Sequence, residues 1–336
     1  MNKQTILFLF GGESPEHEVS IASAQNVYKT IDQQKYTVIL CYIDPQGRWW
    51  HVKHIRKDPK GLPITPLLGE SAIEVDGATI PVHVIYPVLH GHNGEDGTVQ
   101  GLAALMHVPI VGCAADSSAL CMNKILAKKL LASEGLPIVP YAVHHVTNSP
   151  PDFKSLQQKL GPTLFVKPAR QGSSVGVSRV TSQIELTDAL HEAASYDDII
   201  LIEAGLDVRE IEVAILGTTS QPEVSVAGEI IPDREFYSYE SKYDADATSQ
   251  VCIPAKLRLP IAEQIRTMAA QAFTALNCQG MARVDFFIDG QDIVYINEIN
   301  TLPGFTDISM YPKLWEASGK PTSQLVTELI EIALTK

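Results

Sequence analysis

MARVDFFID (281–289) and DIVYINEIN (292–300) decide the architecture of this chain, because they read as two strands joined through Asp289-Gly290, a strong hairpin signal. Side chains alternate between the faces of a strand, so polar residues recurring at every second position of an apolar run mark one face as special. A two-residue loop at 290–291 and a four-residue loop at 289–292 lead to the same register, in which Arg283 faces Glu298 and Asp285 faces Ile296. Arg283, Asp285, Glu298 and Asn300 then project from one side of the hairpin. Two carboxylates on an otherwise apolar pair of strands are costly to bury without a cation. Hard oxygen donors of this kind suit Mg²⁺, which binds through one or two carboxylates and completes its shell with water and phosphate. The plainer alternative is a surface ion pair between Arg283 and Glu298. The next residues, Asn300-Thr301-Leu302-Pro303-Gly304-Phe305-Thr306, make a Pro-Gly turn that would bring the Gly304 N–H to the same place. Arg283 and that N–H would stabilise an oxyanion.

Immediately upstream, a unit from about residue 212 opens with the strand EVAIL and carries a polar insert, 234–251, that no periodicity organises and that reads as a mobile loop. The helix 261–277 and a terminal helix complete it. Before it, TLFVKP (163–168), VGVSRV (175–180) and DIILIEAGL (198–206) read as strands around one helix over 182–195, an α+β pattern. Lys167 ends the first of these strands, and Gly172-Ser173-Ser174-Val175-Gly176 follows, a loop suited to cradling phosphates with main-chain N–H groups. Lys124 follows the apolar run ALCM at the start of the helix KILAKKLLASEG. Either lysine could instead be snorkelling to water. Glu203, Glu210 and Glu212 lie around the connection between the two units, either as solvated charges or as the edge of an adenosine slot.

The first third has βαβ syntax: ILFLF (6–10), a helix opened by Ser14 as N-cap and Pro15 at N1, YTVILCYID (36–44), VHVIYPVLHG (82–91), the crossover helix LAALM, and VPIVG (108–112). This predicts a parallel sheet with ligands at the strand C-termini. Three units follow, at 1–120, 121–211 and 212–336.

A chain of 336 residues, 45% hydrophobic, can bury several cores. Its net charge of −13 offers no basic stripe for nucleic acid. The N-terminal apolar run is too short for a signal sequence and no stretch is long enough to span a membrane. Cys41, Cys113, Cys121, Cys252 and Cys278 form no C-x-x-C, so a disulfide framework or zinc site is not indicated and a reducing, cytoplasmic setting is. No Walker A loop is present; Gly319-Lys320-Pro321-Thr322 lacks the upstream glycine and the adjacent hydroxyl. No G-x-G-x-x-G follows the first strand, which counts against a nicotinamide dehydrogenase.

Taken in order, VKPARQGSSVG, LIEAGLDVREIEVAIL, ARVDFFI and NEINTLPGFT resemble the ATP-grasp superfamily, and GGESPEHEVS (11–20), YPVLHGHNGEDGTVQG (86–101) and CMNK (121–124) are similar to its D-alanine:D-alanine ligase family. The resemblance implies an α/β and α+β ATP-grasp fold behind an N-terminal parallel-sheet domain, and ligation of two D-alanines through an acyl phosphate. Its cofactors would be ATP, as substrate, and two Mg²⁺ ions, or Mn²⁺; its partner a second copy of the chain in a homodimer. Carried over residue by residue, it places adenosine at Glu203, Ala204, Leu206 and Glu210, and phosphates at Lys124, Lys167, Ser173 and Ser174. The metals would lie on Asp285, Glu298 and Asn300. It puts the first D-alanine by Glu18 and His90, its reacting carboxylate at Arg283 and Gly304, and the second at Ser309 and Met310. Lys242 and Tyr243 would belong to a lid closing on Ser173 and Glu18. Asn123 stands where many relatives have Asp, and Gln171 at a variable position. Relatives that make D-alanyl-D-lactate typically replace Tyr243, so the tyrosine favours the dipeptide product; a ligase making D-Ala-D-Ser or D-Ala-D-lactate is the rival reading. A non-catalytic nucleotide-binding regulator would be expected to lack the metal ligands, which are present here.

Overall fold

A computed structural model describes residues 3–231 and 250–335. Lys242, Tyr243 and nearly all of the polar insert lie outside the described residues. Three sheets organise what is described.

The first is built on β1 (Gln4–Gly11), which pairs in parallel with β2 (Tyr36–Ile43) on one side and β7 (Val84–Val88) on the other. α1 (His17–Thr30) packs Ile21, Ala24 and Val27 against Ile6, Phe8 and Phe10. α2 (Thr98–Leu105) packs Val99 and Ala103 against Leu7 and Leu9 on the opposite face. Burial on both faces is why these strands read as unbroken apolar runs. The sheet is mixed rather than parallel throughout: β3 (Trp49–Val52), β4 (Leu62–Leu67), β5 (Ala72–Val75) and β6 (Ala78–Pro81) extend it antiparallel beyond β2. These strands are short, and β4 carries Pro63 and Pro66 although it pairs with β3 on one side and β5 on the other. Asp76-Gly77 turns β5 into β6 with both residues at positive φ (51° and 74°), as a two-residue hairpin requires. The expected strand at 108–112 makes a single bridge, Ile110 to Ile85. The first helix begins at His17 rather than beside Ser14: Ser14-Pro15-Glu16 is a turn, with the Glu16 N–H donating to Ser14 Oγ at 3.2 Å and the His17 N–H to the Ser14 carbonyl at 3.1 Å.

α3 (Ala115–Met122) and α4 (Lys124–Ser133) meet at Asn123, whose side chain caps α4 by accepting from the Leu126 N–H at 3.2 Å. The second sheet runs β10 (Ser178–Val180), β9 (Leu164–Pro168), β11 (Ile199–Ala204), β8 (Tyr141–His145), antiparallel throughout. α5 (Phe153–Leu160) and α6 (Gln183–Ala194) cover one of its faces. Of the strand expected over 175–180 only Ser178–Val180 pairs, so the Gly/Ser loop is longer than anticipated.

The third sheet runs β14 (Gln250–Cys252), β13 (Gln221–Ile231), β12 (Val208–Thr218), β15 (Gly280–Asp289), β16 (Val294–Asn300). α7 (Leu259–Ala275) buries one face through Val284, Phe286, Ile288 and Ile296. On the other face α8 (Met310–Ala317) and α9 (Thr322–Leu334) cover Ala214, Leu216 and Met281, and the same helices reach Phe8 and Phe10 of the first sheet. One core therefore joins the first and third sheets. Where that cover stops, the same face of the third sheet changes from apolar to charged. α4 is wedged between sheets: Ile125 packs on Ala169 and Leu201, while Ala127 and Leu131 belong to the core beneath α7. All five cysteines are free thiols. Among the described residues no helix is long and apolar enough to cross a membrane.

Candidate functional site

The β15–β16 hairpin carries its polar face as expected, by a different register. Ile288 pairs with Val294 and Phe286 with Ile296, but Asp285 pairs with Glu298 and Arg283 with Asn300, so Asn297 is an extra residue on β16. The bulge corrects the expected pairs, Arg283 with Glu298 and Asp285 with Ile296. It leaves the shared face intact, because the turn already moves the pairing by one residue and the bulge adds a second, so the partners of Arg283 and Asp285 shift by two, a whole period of the strand. Its consequence is chemical. β12 pairs with β15 so that Glu212 lies opposite Asp285, and the row Glu212, Asp285, Glu298 crosses three adjacent strands. Like charges directly opposite one another destabilise a sheet unless cations intervene. Two do here. Arg283 donates Nε and Nη2 to Asp285 at 2.7 and 2.6 Å and lies 2.9 Å from Glu212; Lys124 Nζ lies 2.9 Å from Glu298. Burial alone would lower both cations, yet Asp285 and Glu212 hold Arg283, and Glu298 holds Lys124, above their ordinary values. Asn300 Nδ2 donates to Asp285 at 3.0 Å.

The row forms one wall of a cleft between the second and third sheets, with about 1340 Å³ of space including its open mouth. Lys124, Lys167, Ser173, Ser174, Glu203, Ala204, Leu206, Glu210, Arg283, Asp285 and Glu298, eleven residues expected at the site, line it together. Glu203, read from sequence as a group for the adenine edge, is also the centre of a buried ion cluster with Lys128, at 2.6 Å, and Lys167. Burial by itself would raise its carboxyl; Lys128 and Lys167 override that and hold it below the usual range. Lys124 Nζ further donates to the Gln171 carbonyl at 2.9 Å, tying α4 to the Gly/Ser loop. In that loop Ser173 and Ser174 both take positive φ (50° and 58°), a conformation costing non-glycine residues of the order of 1 kcal/mol each and typical of functional loops.

Glu18 is the residue the structure moves out of the site. It faces solvent from the first turn of α1, 2.6 Å from Lys57, and does not line the cleft. Glu16, to which the sequence reading gave no role, stands where Glu18 was expected: Ser173 Oγ donates to Glu16 Oε1, linking the first unit to the Gly/Ser loop. His90 lies beside Glu16 and against the Leu302 backbone, its imidazole held below its ordinary pKa by burial, with Glu16 opposing. Glu95, which the sequence reading left without a role, completes this corner by accepting from the Gly91 N–H at 3.0 Å. Burial, reinforced by Glu16, pushes its carboxyl up to about 8. Between 4.5 and about 8 the folded chain thus keeps a proton that the unfolded chain has released, and stability falls as pH rises through that window. Glu95→Gln is expected to flatten this slope, read as urea midpoints across the same window; an unchanged slope would show that Glu95 titrates normally.

Gly304 sits where a Cβ would come within 2.9 Å of Ser309 Oγ, so a side chain there would displace that hydroxyl from Thr306. Ser309 Oγ accepts from the Thr306 N–H at 2.9 Å and stands before Met310, the first residue of α8. Its free N–H groups make that helix start suited to a carboxylate. Asn26 of α1 holds the turn through the Phe305 carbonyl (3.2 Å) and Asp307 (3.0 Å).

The donor set fits Mg²⁺. Among the described residues no three His, Cys, Asp or Glu side chains close around one point as a protein-only cage. Asp285 and Glu298 face each other across the hairpin beside Lys124, with Asn300 two residues further along β16, an open set of hard oxygen donors for an ion that takes its remaining ligands from phosphate and water.

Comparison with known proteins agrees along the whole chain. Residues 5–113 match the family model described as D-ala D-ala ligase N-terminus, and residues 130–331 match D-ala D-ala ligase C-terminus. The D-alanine–D-alanine ligase of Sodalis glossinidius (strain morsitans) is 44% identical over 98% of this chain and 95% of its own. The solved D-alanine-D-alanine ligase of Coxiella burnetii superposes with a TM-score of 0.90 at 37% identity, covering 100% of this chain and 95% of that one. The VanG D-Ala:D-Ser ligase of Enterococcus faecalis gives 0.90 at 32%, covering 99% and 100%.

Proposed function

The chain belongs to the D-alanine–D-alanine ligase family, and on that premise we propose that it joins two D-alanines at the expense of ATP, through a D-alanyl phosphate, to supply the dipeptide of peptidoglycan precursors. The observation that carries this reading is the carboxylate row Glu212, Asp285, Glu298, set opposite Lys167 across one cleft. A carboxylate is a poor acylating agent, so the first D-alanine must be activated before an amine can attack it. Adenosine lies along Glu203 to Leu206 with its ribose at Glu210, and Lys124 and Lys167 meet the phosphates under the Ser173-Ser174 loop. When bound at Asp285, Glu298 and Asn300, Mg²⁺ supplies neutralisation of the charge spread over the phosphate oxygens. Arg283 and the Gly304 N–H hold the reacting carboxylate and then the oxyanion of the tetrahedral intermediate. Glu16, rather than Glu18, pairs with the ammonium of the first D-alanine beside His90, and Ser309 with the Met310 N–H receives the carboxylate of the second. The second amine attacks the acyl carbon and phosphate leaves, so no side-chain nucleophile is needed. Water must be kept from the acyl phosphate, which it would hydrolyse; the resemblance gives that task to Lys242 and Tyr243, outside the described residues. The protein works in the cytoplasm as a homodimer, a state that light scattering would measure directly.

Phosphate release that depends on D-alanine but not on L-alanine tests the activity; release with neither, or equally with both, would sink it. Product analysis with D-alanine, D-serine and D-lactate together tests the dipeptide choice, and a dominant D-alanyl-D-serine or D-alanyl-D-lactate product would overturn it. Tyr243→Phe is expected to raise the share of D-alanyl-D-lactate at neutral pH; an unchanged ratio would remove Tyr243 from selectivity.

A further inference from the structure

Lys124 and Lys128 stand one turn apart on α4, so both side chains leave the same face of the helix. Lys124 enters the cleft. Lys128 does not line it; its side chain is 2% exposed and its ammonium lies 2.6 Å from Glu203 Oε1, while Lys167 takes Glu203 Oε2. A single carboxylate on β11, itself 4% exposed, therefore serves two ammonium groups brought from two other elements, α4 and β9. A lysine is rarely buried to this degree unless its charge is paired. Burial lowers the Lys128 ammonium and Lys167 adds repulsion, with Glu203 opposing both, so the cluster is held together by the one acid.

We propose that Lys128 is a positioning residue: it remains the counter-charge of Glu203 when Lys167 leaves that carboxylate for the phosphates of the nucleotide. The inference rests on the placement of phosphates at Lys167 and of adenosine at Glu203 given above. A buried carboxylate stripped of its last cation is strongly disfavoured. With Lys167 as its sole partner, Glu203 would compete with phosphate for that ammonium. With Lys128 in place it keeps one cation throughout, stays ionised, and stays fixed as an acceptor at the adenine end of the cleft. Lys167 is then shared rather than sequestered.

The test is the ratio of ADP to adenosine affinity, measured by calorimetry with Mg²⁺ present, since the proposed hand-off concerns the phosphates and not the base. Wild type is expected to favour ADP, and Lys167→Met to lose much of that preference. Lys128→Met is expected to lower the ratio about tenfold, the worth of one charge-assisted contact withheld from phosphate, while adenosine itself binds as before. Lys128→Met/Glu203→Gln removes the competing carboxylate and is expected to restore the ratio even though both ligands bind more weakly. The double variant replaces the buried Lys128–Glu203 pair by neutral groups, and melting curves on it and on the single variant register the stability of each. A wild-type ratio in Lys128→Met, or a double variant whose ratio falls as far as that of Lys167→Met, overturns the role of Lys128 alone. A wild-type protein that binds ADP no better than adenosine, or a Lys167→Met variant that keeps the full preference, overturns the underlying placement as well.

Discussion

Glu298→Gln is expected to lower D-alanine-dependent phosphate release about 10³-fold while the protein stays folded, because it removes charge at the point where phosphoryl charge must be neutralised. Glu298 lies directly opposite Asp285 across the hairpin and 2.9 Å from Lys124. The amide has the same shape and one negative charge fewer, so the row keeps its packing and loses part of its hold on Mg²⁺. Lys124 retains the Gln171 carbonyl at 2.9 Å, which limits the loss of stability to ~1 kcal/mol, the size of an ordinary hydrogen bond. Phosphate release at saturating ATP and Mg²⁺, beside a melting curve for each protein, separates the two effects. Turnover within tenfold of wild type would remove Glu298 from the metal site.

Arg283→Met should damage both stability and turnover. The guanidinium grips Asp285 with two hydrogen bonds and Glu212 at 2.9 Å, in a row where those carboxylates face each other across adjacent strands. Removing it leaves Glu212 and Asp285 buried side by side without their shared cation, a change of the kind that costs ~3–5 kcal/mol. Catalysis loses a donor to the developing oxyanion, roughly 10²–10³-fold in kcat. Arg283→Lys restores a charge but not the planar fork, so it is expected to recover more of the stability than of the rate. Urea unfolding and steady-state kinetics on both variants distinguish these outcomes. A methionine variant as stable as wild type would mean that the carboxylate row does not depend on Arg283.

The polar face of the hairpin was legible because strand alternation has a period of two, and a two-residue slip in register conserves faces. The bulge at Asn297 was not legible, since it depends on how β16 meets β15 and the wall of the cleft. Glu16 and Glu18 show the opposite limit. Two positions in a helix are separated by about 200° of rotation, so a small error in where α1 starts exchanges the residue that meets Ser173 for one that faces water and Lys57. Ser14 and Pro15 suit an N-cap and first turn as well as they suit the tight turn that precedes His17. The four added strands of the first sheet were hidden by their shortness and prolines, although Asp76-Gly77 carried a hairpin signal that could have revealed the last two.

The sequence by itself determined the class of chemistry: ordered motifs, an alternating carboxylate face, a Gly/Ser loop after a strand lysine, and no nucleophile. Those are properties of neighbouring residues and of local periods. Only the tertiary structure decided that Glu212 joins Asp285 and Glu298 in one row, that Glu16 meets Ser173, and that Lys128 and Lys167 share Glu203. Each of these joins groups drawn from different strands, helices or sheets. Buried charges must be balanced across space, and which partners balance them follows from how the sheets and α4 pack rather than from any spacing along the chain.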